Sequence, residues 1–239
     1  MYMSGRNANF AENMELEDYI AAHIDAEPDV LHRLYRHTHL THLYPRMCSG
    51  HVQGRLLKML TAMIRPRRIL ELGTFTGYSA LCFAEGMPAS CKLDTVEVDE
   101  EMEPELTALF SASPRAADIR LHIGDALEVV PALPGTWDMV FIDANKRHYR
   151  QYLDMVLERV PVGAFILADN TLWDGHILDD TTCRDAQSRA IAAFNDYVAA
   201  HPRLEKVILP VRDGLTIMRV KSEPSDGAKL PGALNSSPQ

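Results

Sequence analysis

The composition of the 239-residue chain describes an acidic protein with enough apolar residues to form a core. Hydrophobic residues make up 46% of it, and 24 Lys and Arg stand against 33 Asp and Glu, a formal net charge of −9. This length suits one large or two small domains, and the composition is not that of a disordered chain. The acidic excess argues against nucleic acid and anionic membranes as general partners, because both require clustered Lys and Arg.

Neither targeting signals nor cysteine pairs indicate a secreted or membrane protein. The apolar run at Val160–Ala168 is far shorter than the roughly 20 residues of a spanning helix, and no basic stretch followed by an apolar segment marks the N-terminus. The four cysteines are widely spaced, without a CxxC pair, at Cys48, Cys82, Cys91 and Cys183. We therefore expect a cytoplasmic protein with reduced thiols.

Histidines are concentrated in the N-terminal part of the chain. Six of the ten lie at or before residue 51, at His23, His32, His37, His39, His42 and His51. No cysteine or carboxylate recurs at ligand spacing around them. We therefore expect partly exposed helix positions here rather than a zinc site.

The first 65 residues are predicted to be mostly helical. Residues from about Glu12 to Leu43 have a helical pattern, with Pro28 near the first turn of a second helix. The segment Gln53–Ile64 then predicts an amphipathic helix. Its apolar residues recur at three-to-four spacing and are expected to bury one stripe, at Leu56, Leu57, Leu60, Met63 and Ile64.

From Arg67 onward short β-rich runs alternate with helical stretches, a pattern typical of a parallel sheet covered by helices. The predicted parallel strands are Arg68–Leu72, Leu93–Val98, Ile119–Ile123, Asp138–Ile142 and Ala164–Ala168. The predicted helices after them are Tyr78–Glu85, Pro104–Ser111, Ala126–Val130, His148–Arg159 and Arg184–Ala200. The strands are continuously apolar, which suits burial on both faces of the sheet.

The end of the chain has a different pattern. Lys206–Val211 and Leu215–Val220 flank an Arg-Asp-Gly sequence, which indicates a β-hairpin. The predicted fold is therefore α/β: a Rossmann-like, doubly wound, mainly parallel seven-stranded sheet with a C-terminal antiparallel hairpin. The segment Lys221–Gln239 is rich in Pro, Gly and Ser and is expected to be a loose tail.

Ligands of open α/β sheets bind beyond the carboxyl ends of the strands. After the first strand, Gly73 and Gly77 form a G-x-x-x-G turn, which lacks the middle glycine of the dinucleotide pattern and could equally be an ordinary strand–helix turn. Glu97 ends the second strand, where an acid can accept ribose hydroxyl protons. Asp125 follows the third strand and could accept the amino group of adenine, cap a helix, or do both. Together these residues suggest an adenosine ligand.

Two carboxylates and an amide follow the fourth and fifth strands. Asp143 ends one strand, Asp169 and Asn170 end the next, and all three carry hard oxygen donors that suit Mg²⁺, and also Mn²⁺ or Ca²⁺, better than zinc. Helix caps and turns are the alternative. Lys146 lies three residues after Asp143 and can face the same point. A divalent ion beside it would disfavour its ammonium form, so it could act as a general base.

Four motifs in this order resemble the cation-dependent class I O-methyltransferases, which include the caffeoyl-CoA and catechol O-methyltransferases. They are Met47-Cys48-Ser49-Gly50, the run Glu71 to Ser79, Phe141-Ile142-Asp143-Ala144-Asn145-Lys146, and Ala168-Asp169-Asn170-Thr171-Leu172-Trp173. The resemblance covers about residues 45–220. It implies S-adenosylmethionine as cofactor, a divalent cation, most simply Mg²⁺, and a phenolic acceptor with vicinal hydroxyls.

The resemblance also assigns roles residue by residue. Cofactor contacts are expected at Ser49, Glu71, Gly73, Thr74, Ser79, Glu97, Asp125, Ala126, Asp143 and Asn145, metal ligands at Asp143, Asp169 and Asn170, and catalysis at Lys146 with Asp143. Two positions depart from the family. Asp174 stands where the plant enzymes have a substrate-contacting asparagine. Asn145 stands where those enzymes often have an acid and the animal enzymes a tryptophan.

The resemblance further implies a division of the chain and a homodimer. Residues 1–45 would cover the acceptor site, residues 46–220 would form the methyltransferase domain, and residues 221–239 the tail. Two other functions are weighed against this one. A nicotinamide-dependent oxidoreductase would need the missing glycine. A scaffold without turnover would have no need of Asp143, Lys146, Asp169 and Asn170 together.

Overall fold

The computed structural model describes residues 16, 18–178 and 185–222. Cys183 and most of the predicted tail lie outside these ranges. Cys48, Cys82 and Cys91 are buried free thiols, as expected. No helix within the described ranges is long and apolar enough to cross a bilayer.

A seven-stranded sheet in the order β3-β2-β1-β4-β5-β7-β6 forms the centre of the molecule. The strands are β1 Arg68–Leu72, β2 Lys92–Glu97, β3 Ile119–Ile123, β4 Met139–Ile142, β5 Phe165–Ala168, β6 Leu204–Leu209 and β7 Leu215–Val220. The first five run parallel, and β7 pairs antiparallel with both β5 and β6. The predicted fold class is therefore confirmed.

The predicted hairpin is correct in type but displaced at its first strand. β6 ends at Leu209, two residues before the predicted end at Val211, and the turn is correspondingly longer. Pro210 follows directly and has no N–H to continue the ladder, which accounts for the earlier end.

Helices cover both faces of the sheet. They are α1 Asp29–Thr41, α2 Gly50–Ile64, α3 Tyr78–Gly86, α4 Glu103–Ser111, α5 Ala126–Ala132, α6 Tyr149–Leu157 and α7 Ala186–Ala200. Helices α1 to α4 pack on one face and α5 to α7 on the other, which gives two separate cores. β4 illustrates the two cores, because all four of its residues are fully buried. Met139 and Phe141 pack in the core under helices α1 to α4, and Val140 and Ile142 pack in the core under α5 to α7.

The predicted apolar stripe of α2 is only partly correct. Met63 is 72% exposed, whereas the buried face of the helix includes Gln53, Arg55 and Thr61. These polar groups have partners: Nη1 and Nη2 of Arg55 donate to the Glu85 carboxylate, and Thr61 Oγ1 donates to the Leu57 carbonyl. Burial of hydrogen-bonded polar groups costs little, so apolar periodicity alone misplaced this face.

The N-terminal region is helical with a break. Residues 18–22 are helical, residues 23–28 are not, and Pro28 precedes the first residue of α1. The far end of α1 docks beside the turn after β1, because buried Thr38 Oγ1 donates to Thr76 Oγ1 at 3.0 Å. This contact fixes the helix against the part of the sheet where ligands of such folds bind.

Candidate active site

A cleft of about 1040 Å³ opens beyond the carboxyl ends of the parallel strands. It lies where the strand order reverses between β1 and β4, the usual ligand position in open α/β sheets. It is also lined by the segment Leu43–Ser49, which follows α1. Eleven residues singled out from the sequence line this cleft: Ser49, Gly73, Thr74, Ser79, Glu97, Asp125, Ala126, Asp143, Asn145, Lys146 and Asn170. Glu71 and Asp169 lie beneath it and are buried.

Gly73 is required where the loop after β1 passes the end of β4. Its φ is +93°, and a Cβ placed on it would lie 2.1 Å from the carbonyl oxygen of Asp143. Any side chain would therefore separate the two loops as well as strain the backbone. The glycine serves the close approach of two loops, both of which line the cleft.

The Glu97 carboxylate holds this turn in place. It accepts hydrogen bonds from the backbone N–H groups of Thr74 at 3.1 Å and Phe75 at 2.7 Å, and from that of Asp99 at 3.0 Å. A carboxylate offers about four acceptor positions, so a further one remains. Glu97 therefore orders the loop and can still accept a ligand hydroxyl.

Glu71 is a buried carboxyl on β1 below the turn. Ser79 Oγ and Thr95 Oγ1 each donate to one of its oxygens at 2.6 Å. Burial raises the pKa of Glu71 from its ordinary value of 4.5 to about 8, although these two hydrogen bonds act in the opposite direction. Glu71 therefore fixes Ser79 at the first turn of α3 and does not itself reach the cleft.

Asp125 caps α5. Its Oδ1 accepts the Leu127 N–H at 2.8 Å, the geometry of a helix N-cap. The predicted role of Asp125 as a helix cap is thus confirmed. Because Asp125 also lines the cleft, its other predicted role, as acceptor for an adenine amino group, stays compatible with capping.

Lys146 is held by two partners at the end of β4. Its Nζ lies 2.7 Å from Asp143 Oδ1 and 2.6 Å from the Tyr149 hydroxyl oxygen. That hydroxyl in turn faces the carbonyl oxygens of Ile142 and Asp169, at 3.2 and 3.0 Å. Burial, together with the nearby charges of Asp143 and Asp169, raises the pKa of Tyr149 far above its ordinary value, so Tyr149 stays a neutral donor. Lys146 Nζ is therefore held in a fixed position at the cleft wall.

Asp169 lies beside Asp143 because β4 and β5 run in parallel register. The Asp169 N–H donates to the Ile142 carbonyl at 3.0 Å, which places the two strand ends side by side. Burial, and then the negative charge of Asp143, raises the pKa of Asp169. Its Oδ2 accepts a hydrogen bond from Gln53 Nε2 at 2.6 Å.

Asn170 follows in a left-handed conformation, with φ +56°. Its side-chain nitrogen donates to Asp213 Oδ2 at 3.3 Å, so its amide oxygen is left as the acceptor. With Asp143 and Asp169 this makes a set of hard oxygen donors that carries two negative charges, which fits Mg²⁺ or a similar ion.

Sequence reasoning missed three residues that support this site. Gln53 and Tyr149 orient Asp169 and Lys146, as described above. Arg212, from the turn between β6 and β7, donates to the carbonyl oxygens of Arg46, Cys48 and Ser49 and so ties the segment 46–49 to the sheet. The sequence could have indicated Tyr149, because it lies three residues after Lys146 and so near it on a helix. Gln53 and Arg212 are separated in sequence from their partners Asp169 and Ser49 by 116 residues or more, and no local pattern indicates them.

Comparison with known proteins gives consistent matches. A family model described as O-methyltransferase matches residues 20–221. Caffeoyl-CoA O-methyltransferase 5 of Nicotiana tabacum is 31% identical over 207 residues, 81% of this chain and 85% of the relative. O-methyltransferase ankF of Aspergillus thermomutatus is 31% identical over 192 residues, 74% and 80% of the two chains.

Solved structures agree with the sequence matches. The methyltransferase PaMTH1 of Podospora anserina, bound to SAH, has a TM-score of 0.83 at 25% identity and covers 92% of this chain and 100% of its own. The O-methyltransferase TomG of Streptomyces achromogenes, in complex with SAM, has a TM-score of 0.80 at 26% identity over 87% and 96% of the two chains.

Proposed function

The chain belongs to the O-methyltransferase family, and from this premise we propose that it methylates one hydroxyl of a catechol-like acceptor with the help of a divalent cation. Methyl transfer from S-adenosylmethionine to oxygen is the activity of the family, and this identity decides against the oxidoreductase and the scaffold. The cation and the acceptor class are our proposal.

We place the cofactor in the cleft between the turn after β1 and the loops after β2, β3 and β4. Glu97 would accept the ribose hydroxyls with the acceptor position that its loop contacts leave free. Asp125 would accept from the adenine amino group while it caps α5. Gly73 lets the loops after β1 and β4 pack closely, and Ser79 is held through Glu71. The remaining proposed contacts are Ser49, Thr74, Ala126 and Asn145.

The cation would be held by Asp143, Asp169 and Asn170. When bound, it would bring two adjacent acceptor oxygens together and favour ionisation of one of them. The protein prepares this position: Gln53 fixes the Asp169 carboxylate, and Asp213 turns the Asn170 amide so that its oxygen is free. Three protein ligands leave coordination positions open for the acceptor.

Lys146 would take the proton of the reacting hydroxyl at Nζ. Tyr149 and Asp143 hold that nitrogen in place. A divalent ion bound to Asp143 would disfavour a positive charge on the neighbouring Lys146. The rest of the rate would come from orientation: effective molarities of well-placed reactants correspond to roughly 7–11 kcal/mol. Attack by an anion on a sulfonium cation neutralises charge, so positioning matters more here than charge stabilisation.

Two observations support a vicinal dihydroxy acceptor. The hard-donor set beside Lys146 suits a chelating pair of oxygens, and the caffeoyl group named for several relatives carries such a pair. The single observation that carries the proposal is the convergence of Asp143, Asp169 and Asn170 with Lys146 at the cofactor cleft.

The test is a methyl-transfer assay with labelled S-adenosylmethionine across catechols, flavonoids, hydroxycinnamates and their thioesters, each paired with its monohydroxy analogue. We expect product only from vicinal diols, loss of activity with EDTA, and recovery with Mg²⁺. Activity that is indifferent to EDTA would remove the cation from the mechanism. Equal methylation of the monohydroxy analogues would refute the chelated acceptor.

Two structural expectations also remain proposals. We propose that residues 1–45 cover the acceptor and that the protein is a homodimer. Light scattering after size exclusion tests the second. Limited proteolysis with and without acceptor tests the first, since cover of the acceptor predicts protection of the bonds before residue 45.

A further inference from the structure

Three side chains that can bind a metal meet outside the cleft, where α1 ends against α4. His37 Nε2 lies 3.5 Å from Glu105 Oε1, and His42 Nε2 lies 3.6 Å from Glu105 Oε2. One ligand atom from each residue lies within 4.8 Å of the others. None of the three belongs to the site described above.

The fold brings them together from distant parts of the sequence. His37 lies on α1 four residues before its last residue, Thr41, and His42 follows Thr41 in an extended conformation with φ −96° and ψ 145°. This change of direction lets two histidines five residues apart face one point, which a continuous helix would not allow. Glu105 comes from the first turn of α4. Glu105 is distant in sequence, so the absence of a carboxylate at ligand spacing around the N-terminal histidines did not exclude this contact.

The two histidine–carboxylate distances are long for direct hydrogen bonds, and they lead to different oxygens of Glu105. At 3.5 and 3.6 Å the carboxylate is at or beyond the limit for a hydrogen bond to either ring. Ligand atoms on a tetrahedral zinc ion bonded at about 2.0–2.1 Å lie roughly 3.3–3.4 Å apart. Two imidazoles and one carboxylate are a known zinc ligand set, and imidazole favours zinc, nickel or copper over magnesium.

We propose that His37, His42 and Glu105 form a second metal site, selective for Zn²⁺ and similar transition-metal ions. The His37, Glu105 and His42 side chains are 53%, 36% and 18% exposed, so an ion can enter from solvent and keep a water as its fourth ligand. The site is independent of the cation proposed at Asp143 and Asp169, which has only oxygen donors.

The position of the site connects it to the cofactor cleft. The His42 ring packs edge-on against Phe75, with centroids 5.3 Å apart, and the Phe75 N–H is held by Glu97 in the turn after β1. Leu43 and the residues after it line the cleft. An ion bound to His42 would fix the start of this segment and its contact with the turn. Zn²⁺ would therefore slow the exchange of bound cofactor or its demethylated product.

The first test is a calorimetric titration of the full chain with Zn²⁺ in the presence of excess Mg²⁺. We expect one zinc equivalent that survives Asp169→Asn. Glu105→Gln and His37→Gln should weaken it roughly a hundredfold or more, because loss of even an outer-shell partner of a metal costs about 10–100-fold. His39→Gln is the matched control: it is exposed on the same helix, its Nδ1 contacts the Tyr35 carbonyl, and it should bind zinc like the wild type.

A second readout separates loss of the site from loss of the fold. Co²⁺ bound at the site should give the visible absorption of a tetrahedral ion in the wild type and in His39→Gln. Glu105→Gln should lack this absorption, although its circular dichroism spectrum without metal should match that of the wild type. Stopped-flow release of demethylated cofactor should be slower with Zn²⁺ in the wild type and in His39→Gln, but not in Glu105→Gln. Zinc binding that disappears with Asp169→Asn, or that survives Glu105→Gln at full affinity, would overturn the site. Release that is unaffected by bound zinc would overturn its link to the cleft.

Discussion

The buried carboxyl of Glu71 predicts how stability depends on pH. Glu71 is fully buried and its pKa rises from 4.5 to about 8, mainly because burial disfavours the charged form. Below pH 4.5 both the native and the unfolded states hold the proton. Between 4.5 and about 8 the unfolded chain has lost it while the native protein keeps it, so the free energy of unfolding falls as pH rises. Above about 8 both are ionised and the loss is constant.

The magnitude follows from that interval. Each pH unit is worth about 1.4 kcal/mol, so the native state loses up to about 5 kcal/mol across it. Glu71→Gln cannot ionise, and its stability relative to the wild type should therefore increase by about 1.4 kcal/mol per unit between pH 5 and 8. The substitution will also change the free energy of unfolding by an amount that does not depend on pH, because Ser79 and Thr95 must rearrange around an amide.

Urea denaturation of both proteins without cofactor, at half-unit steps from pH 5 to 8.5, measures this difference. Other titrating groups are common to both proteins and cancel. Glu158→Gln is the matched control, since Glu158 is exposed and its variant should differ from the wild type by a constant amount at all pH values. A pH-independent difference for Glu71→Gln would show that Glu71 is ionised in the native protein, and the argument from burial would fail.

Three further substitutions test the site. Lys146→Ala should lower kcat roughly 10²–10⁴-fold, the usual contribution of a general base, with cofactor affinity unchanged in calorimetry; wild-type turnover would require another base. Gln53→Leu removes the donor to Asp169 Oδ2, so the divalent ion concentration for half-maximal activity should rise roughly 10–100-fold while kcat at saturating ion stays close to wild type. An unchanged ion requirement would make Gln53 irrelevant to the ion. Gly73→Ala should destabilise the protein by roughly 2 kcal/mol or more in denaturation experiments, because its Cβ meets the Asp143 carbonyl. Gly163→Ala, at a similar φ of +90° but with no atom within 4 Å, is the control and should cost less.

Local patterns in the sequence were sufficient for the sheet. β1, β3 and β7 have the predicted bounds, and β4 and β5 differ by one residue at their first end. β2 is shifted by one residue at both ends and β6 by two. Strands covered on both faces are rich in apolar residues, and this property is contained in four to six consecutive residues. The same reasoning located Asp143, Asp169 and Asn170, because neighbouring parallel strands bring their carboxyl ends to one edge.

The supporting contacts were decided only by the tertiary structure. Gln53 reaches Asp169 across 116 residues, and Glu105 lies beside His37 of α1 and His42 just after it, although no short spacing in the sequence links them. Such contacts depend on how helices pack on the sheet and where α1 ends, which periodicity does not encode. The sequence by itself therefore determined the fold class and the residues at the strand ends. Packing decided which polar side chains hold those residues in place, because a buried polar group is stable only next to a partner that folding supplies.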